Sequence, residues 1–302
     1  MKGTIDIFGI PLMEPKNRLI TVESTEDKIR WLKKKCFYNR RNSLSCVKLG
    51  GSGHMGGALS CAEILGVLYF WAVRHDPKKP QWNGRDRVIL SKGHACPMLY
   101  STLVAAGYFK EEELKTFRQL NSRLQGHPEY GTPGVEVASG SLGQGFSAAM
   151  GIALGLKYRG TNEKVFAVVG DGELQEGQSW EVIMAAPAKK LDNFIVVLDY
   201  NGIQQDGFLK DSLPLEPVNK KFEAFGWKTI TVNGHSVEEL IAGFTWARSV
   251  KEKPALIIAK TIKGFGVSFM ENQPKWHGTT PPDDELYKQA MKELTETEET
   301  IQ

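Results

Sequence analysis

An aspartate between two glycines, Gly170-Asp171-Gly172, follows the all-apolar run 165–169. At the carboxyl end of a buried strand, such a carboxylate stands among free backbone N–H groups. That setting suits a hard cation carrying a diphosphate. The next apolar run, 194–198, leads into Asp199-Tyr200-Asn201-Gly202. Asn201 therefore offers a neutral oxygen on the same edge, one βαβ unit later. Magnesium takes such sets, with octahedral oxygens, one or two protein carboxylates and the rest from phosphates. Two ordinary βα turns would use the same residue types, because Asp, Asn and Gly are turn formers.

The histidines give a second signal. Five of the six touch a glycine: Gly53-His54, Gly93-His94, Gly126-His127, Gly234-His235 and His277-Gly278. A glycine lets backbone and imidazole approach a ligand together, and an imidazole titrates near neutral pH, as proton transfer requires. His235 is discounted, since Asn233-Gly234 is turn chemistry ahead of a Ser236 cap. His75 reads as a helix-end residue. No phosphate-binding G-x-x-x-x-G-K-[ST] occurs, and the glycines of 140–145 (GSLGQG) are wrongly spaced for a dinucleotide fingerprint. Neither a P-loop enzyme nor a nicotinamide enzyme is supported.

The elements that must position these groups follow from periodicity. Helices are expected over 25–48, 58–73, 98–106, 110–120 and 145–157, the second apolar almost all round. Strands are expected over 165–169, 194–198, 229–232 and 255–259, alternating with helices over 177–190 and 218–225. A further helix opens at the capping box Ser236-Val237-Glu238-Glu239 and runs to about 250. Residues 88–90 form only a short apolar run. This alternation predicts an α/β fold: a parallel sheet with helices on both faces and ligands at the carboxyl ends of the strands. The division expected is an N-terminal extension, 1–23, a single domain, 24–282, and an acidic amphipathic tail, 283–302.

Composition is ordinary for a globular protein. In 302 residues, 38 Lys+Arg stand against 35 Asp+Glu, a net charge of +3, with 41% hydrophobic residues. No basic cluster marks a nucleic-acid or membrane surface. Residues 1–20 contain no signal-peptide core, and no window reaches a membrane span. Cys36, Cys46, Cys61 and Cys96 lack metal or disulfide spacing and read as reduced thiols in apolar surroundings. A cytoplasmic protein is expected.

Gly170-Asp171-Gly172, then 28 residues, then Asn201 resembles the thiamine-diphosphate motif. Six further segments narrow the resemblance to transketolase: SGHMGG from Ser52, LSKGHA from Leu90, QGHPE from Gln125, GSLGQG from Gly140, KTIKGFG from Lys260 and WHG from Trp276. They stand in the family's order over roughly 30–280. They match only the amino-terminal, diphosphate-binding (PP) half, so the chain resembles the N-terminal subunit of a split transketolase. Met55 stands where many members have proline.

The resemblance implies that Asp171, Asn201 and the carbonyl of Ile203 hold Mg²⁺ (or Ca²⁺ or Mn²⁺), with the Gly172 N–H on the diphosphate. His94 and His277 would also reach the diphosphate, and Gly140, Ser141 and Leu142 would line the cofactor rings. Gly57 and Lys263 occupy cofactor-contact positions of some members. His54, His127 and His277 would surround the donor ketose, and Glu176 would join an acidic relay between paired sites. A partner chain with the pyrimidine-binding domain is implied, in a heterotetramer of two plus two, inactive without it. Pentose phosphates are the default substrates, and a sulfosugar pathway stays open. Alternatives are a deoxyxylulose-phosphate synthase-like or dihydroxyacetone synthase-like enzyme, and a non-catalytic cofactor-binding subunit. The WHG segment and the QGHPE histidine favour ketol transfer.

Overall fold

The computed structural model describes residues 26–205, 207–281 and 283–301, so the expected extension, 1–23, lies outside the described residues. Strands β1 (Arg87–Leu90), β2 (Val165–Gly170), β3 (Phe194–Tyr200), β4 (Lys228–Asn233) and β5 (Ala255–Lys260) form one sheet. Their order is β1-β2-β3-β5-β4, and every neighbouring pair is parallel. The four expected strands are present. The short apolar run before Ser91 is a fifth, at the sheet edge beside β2.

The chain enters through α1 (Glu26–Gly50), α2 (Met55–Ser60) and α3 (Ala62–Val67), and α4 (Cys96–Ala105) follows β1. Helices α5 (Gln144–Tyr158), α6 (Gly177–Ala188), α7 (Leu209–Ser212) and α8 (Val218–Phe225) lie between β1 and β4. The last two are α9 (Val237–Ser249) and α10 (Asp284–Thr300). Alternate strand residues face opposite ways. Val165, Ala167, Val169, Phe194, Val196 and Leu198 pack under α5, α6 and α8. Phe166, Val168, Ile195, Val197 and Ile257 pack with α1, α4, α9 and α10. Right-handed crossovers dictate this sorting. The step from β4 back to β5 reverses direction across the sheet, and so α9 falls on the face opposite α6 and α8. Each fully buried Leu, Ile or Phe adds roughly 1.5–3 kcal/mol of gross stabilisation.

Two expected helices differ. The helix over 58–73 begins earlier, at Met55, and breaks at Cys61, ending in a π-helical turn at Leu68–Ala72. The cause is visible at Gly57. Its carbonyl, which a regular helix would offer to the Cys61 N–H, accepts from Lys92 Nζ at 2.8 Å and Ser60 Oγ at 3.1 Å. The helix over 110–120 shrinks to a 3₁₀ stretch, Glu111–Thr116. It ends because Arg118 turns left-handed, at φ 57°, and donates its N–H to the Leu124 carbonyl.

The C-terminal segment folds as α10 against α1. Ala290 and Leu294 are fully buried there, and Glu298 pairs with Arg41 at 2.7 Å. All four cysteines are buried and unpaired. Among the described residues, no helix is long and apolar enough to cross a membrane.

Candidate active site

The carboxyl edge of the sheet collects the loops that carry the motifs. Strand register sets Gly170 beside Asp199 and Tyr200 beside Lys260, so Asp171, Asn201 and Thr261–Lys263 leave neighbouring strands at one level. Asp171 is 2% exposed. Its carboxylate accepts the Gly172 N–H at 2.8 Å and the Gly202 N–H at 2.5 Å. Burial, then the charge of Asp199, pushes its pKa up to about 6. Asn201 Oδ1 accepts the Ile203 N–H at 3.1 Å. One carboxylate, one amide oxygen and one carbonyl form an all-oxygen set that fits a hard divalent cation finished by phosphate oxygens. Among the described residues, no cluster of three or more His, Cys, Asp or Glu offers a competing metal site.

Four of the five glycine-flanked histidines meet beside this edge. Ring centroids lie 5.4 Å apart for His54 and His94, 5.5 Å for His54 and His277, 5.1 Å for His94 and His277, and 6.1 Å for His54 and His127. Burial lowers all four pKa values. His54 falls to about 4, helped by Arg118, and His277 to about 3, helped by Lys263. His94 is held well below its usual value, and His127 is lowered by burial and Arg118. All are neutral at pH 7. His54 Nδ1 is buried without a partner among the described residues, a polar atom awaiting a ligand. His54, His277, Gln205, Lys275 and Thr279 line an open cleft of about 520 Å³.

The remaining predicted residues separate. Lys263 is 2% exposed, and its Nζ donates to His277 Nδ1 at 2.7 Å and to the carbonyls of Ile203 and Gln204 at 3.1 Å each. Burial brings it down to about 8. Gly57 abuts His94, where an added Cβ would stand 3.1 Å from Nε2. Gly140, at φ +144°, touches His127, and an added Cβ would lie 2.5 Å from the ring. No other residue fits both conditions. Ser141 and Leu142 follow on the same loop, Ser141 exposed. Glu176 is exposed at the N-terminal end of α6, with no side-chain bond or ion pair among the described residues.

Sequence reasoning missed three buried charges that hold these loops. Asp199 is wholly buried and accepts from Ser60 Oγ at 2.6 Å, from Lys92 Nζ and from Thr261 Oγ1. Burial raises its pKa, but the Lys92 ammonium outweighs that and holds it below the usual range. It thereby joins the loops bearing Gly57, His94, Asn201 and Lys263. Glu173 accepts from Ser91 Oγ and from the Gly143 N–H at 2.8 Å, fixing the start of α5. Charged residues at the ends of apolar runs were the available signal. His235 stays out of the cluster: it bonds Glu63 at 2.9 Å, accepts the Ile262 N–H at 2.8 Å and stacks on Phe265.

Comparison with known proteins agrees with this geometry. The family model for the thiamine diphosphate binding domain of transketolase matches residues 33–299. The 6-deoxy-6-sulfo-D-fructose transketolase subunit SqwG of Clostridium sp. (strain MSTE9) is 41% identical over 256 residues, covering 84% of this chain and 93% of its own. An apulose-4-phosphate transketolase subunit from Actinobacillus succinogenes is 38% identical, covering 93% and 99%. Human transketolase is 40% identical over 89% of this chain, which spans only 43% of that protein. The crystal structure of Campylobacter jejuni transketolase superposes with a TM-score of 0.84 at 40% identity, covering 88% of this chain and 43% of that one. Sheet order, site geometry and these likenesses converge: the chain belongs to the transketolase family and carries its thiamine diphosphate-binding domain.

Proposed function

We propose that the chain is the N-terminal subunit of a two-chain transketolase, moving a two-carbon ketol group from a ketose to an aldose. The observation that carries this reading is the meeting of four neutral imidazoles beside the Asp171–Asn201 oxygen set. Thiamine diphosphate, when bound, supplies the carbanion and the electron sink that the bond cleavage needs. On the family's pattern, Asp171, Asn201 and the Ile203 carbonyl hold Mg²⁺. The Gly172 N–H, His94, His277 and Lys263 hold the diphosphate, and Gly57, Gly140, Ser141 and Leu142 line the rest of the cofactor. The orphaned His54 Nδ1, the all-oxygen donor set and the glycine-lined approach to His94 and His127 suit that occupant.

His54 and His277, both uncharged at pH 7, accept the proton of the donor's C3 hydroxyl and return one to the acceptor. His127 bonds the C1 hydroxyl. Glu176, exposed and unengaged among the described residues, faces the second copy in an acidic relay. Relatives of matching extent are named as subunits, which supports a partner chain; on the family's pattern that partner bears the pyrimidine domain in a two-plus-two assembly, in the cytoplasm. The purified chain should show no ketol transfer, and one equivalent of partner should restore it. His54→Ala should then cut turnover by about 10²–10⁴-fold with cofactor binding kept. Turnover by the chain alone, free of partner by mass spectrometry, would overturn the two-chain reading.

A further inference from the structure

The turn that ends the 3₁₀ stretch before Phe117 places one guanidinium where no carboxylate among the described residues neutralises it. Arg118 adopts φ 57°, a left-handed conformation that costs a residue with a Cβ about 1 kcal/mol or more. Its backbone is pinned there by Leu124 at 2.8 Å. The side chain lies across Gly126, where an added Cβ would stand 2.5 Å from Nε. Glycine before His127 is therefore what admits the arginine. Nη1 donates to Ser52 Oγ at 2.7 Å, and Nε is buried with no partner among the described residues. Nη2 makes no bond among the described residues.

Every other described arginine except Arg159 has a carboxylate within 4.0 Å, and Arg159 stands on the exposed surface. A part-buried cation without a counter-ion is unfavourable unless a ligand completes it. Arg118 also acts on both sugar-facing imidazoles, since its charge helps to lower His54 and His127. The cleft lined by His54 and His277 carries one cation, Lys275, and no acidic side chain among its described lining residues. The end-on N–H groups of Nη1 and Nη2 present a fork that matches a tetrahedral oxyanion.

We propose that Arg118 binds the oxyanion substituent, phosphate or sulfonate, of a sugar entering beside His54 and His127. Resting on the ketol-transfer reading, this makes the chain itself, and not its partner alone, a determinant of substrate charge. Lysine in place of Arg118 would keep the charge but lose the fork.

The test uses the reconstituted two-chain enzyme and compares a ketose bearing phosphate, its sulfonate counterpart and the neutral ketose. Arg118→Met should lower the kcat/KM ratio of anionic to neutral sugar by at least about tenfold, with Arg118→Lys between it and the parent. A loss confined to one anion identifies the source. Equal loss on all three sugars, or none, overturns the assignment. As a readout independent of turnover, methyl phosphate and methanesulfonate are titrated against the chain carrying labelled histidine. The His127 resonance should move in the parent and in Arg118→Lys, and stay fixed in Arg118→Met, whose fold is checked by circular dichroism. If that pattern appears without any ketol transfer, the functional reading falls and the Arg118 site stands. If transfer proceeds and His127 moves equally in all three proteins, the Arg118 site falls alone.

Discussion

Asp171 and Asp199 leave adjacent strands of one sheet, both almost fully buried, and the Asp171 N–H even donates to the Asp199 carbonyl at 3.3 Å. Their surroundings differ in one respect. Asp199 has an ammonium and two hydroxyls directed at it, from Lys92, Ser60 and Thr261. Among the described residues Asp171 accepts only from backbone N–H groups, and its pKa climbs to about 6 while that of Asp199 is held down. A buried charge that already has its counter-ion serves architecture. One left without a cation is a place for a cation to bind. That contrast separates the scaffold of this site from its chemistry.

The sharpest way to break the comparison is to remove each carboxylate. Asp171→Ala deletes the only charged ligand of the oxygen set, so Mg²⁺-dependent thiamine diphosphate binding in the assembled enzyme should disappear by calorimetry. The fold should survive, because no charge is stranded. Cofactor affinity equal to the parent's would place Asp171 in the same class as Asp199.

Next in size is the ion pair. Lys92→Met leaves the Asp199 carboxylate buried and unpaired, which should cost about 3–5 kcal/mol in denaturant unfolding. Lys92→Met combined with Asp199→Leu should be milder than the sum of the single changes, by roughly 0.5–3 kcal/mol of coupling. Strict additivity would mean that the pair does not hold the loops together.

The smallest effect contrasts the carboxylates with the imidazoles. The pKa of His54 in the fold, about 4, lies below its ordinary 6.5. Between those values the unfolded chain binds the proton first, so stability should fall as pH drops through the window. The loss is up to about 3 kcal/mol at the acid end. His54→Gln should remove that share of the acid sensitivity in unfolding measured at pH 7 and pH 4.5. An unchanged slope would mean that His54 is not held neutral by burial.

Much of this was legible in one dimension. Apolar runs of four or five residues, separated by helix-length segments, specify buried parallel strands because both faces must be covered. Gly170-Asp171-Gly172 and the glycine-flanked histidines announced the site through residue types that have few other uses together. The helix over 110–120 misled, because helical composition there gives way at Arg118 to a turn closed by Leu124. The break at Cys61 was equally hidden, since it depends on Lys92, 31 positions away, reaching the Gly57 carbonyl.

By itself the sequence determined the local matters: strand and helix periods, the turn that carries Asp171 at the strand end, and which residues carry transferable protons. These rest on neighbours within a few positions, so spacing suffices. Only the tertiary structure decided which charges are spent and which are free. Lys92 sits 107 positions from Asp199 and pairs with it, while Arg118 finds no carboxylate among the described residues. Burial and pairing depend on what the fold brings alongside from distant segments, and it is these that fix the charge state of every group at the sheet edge.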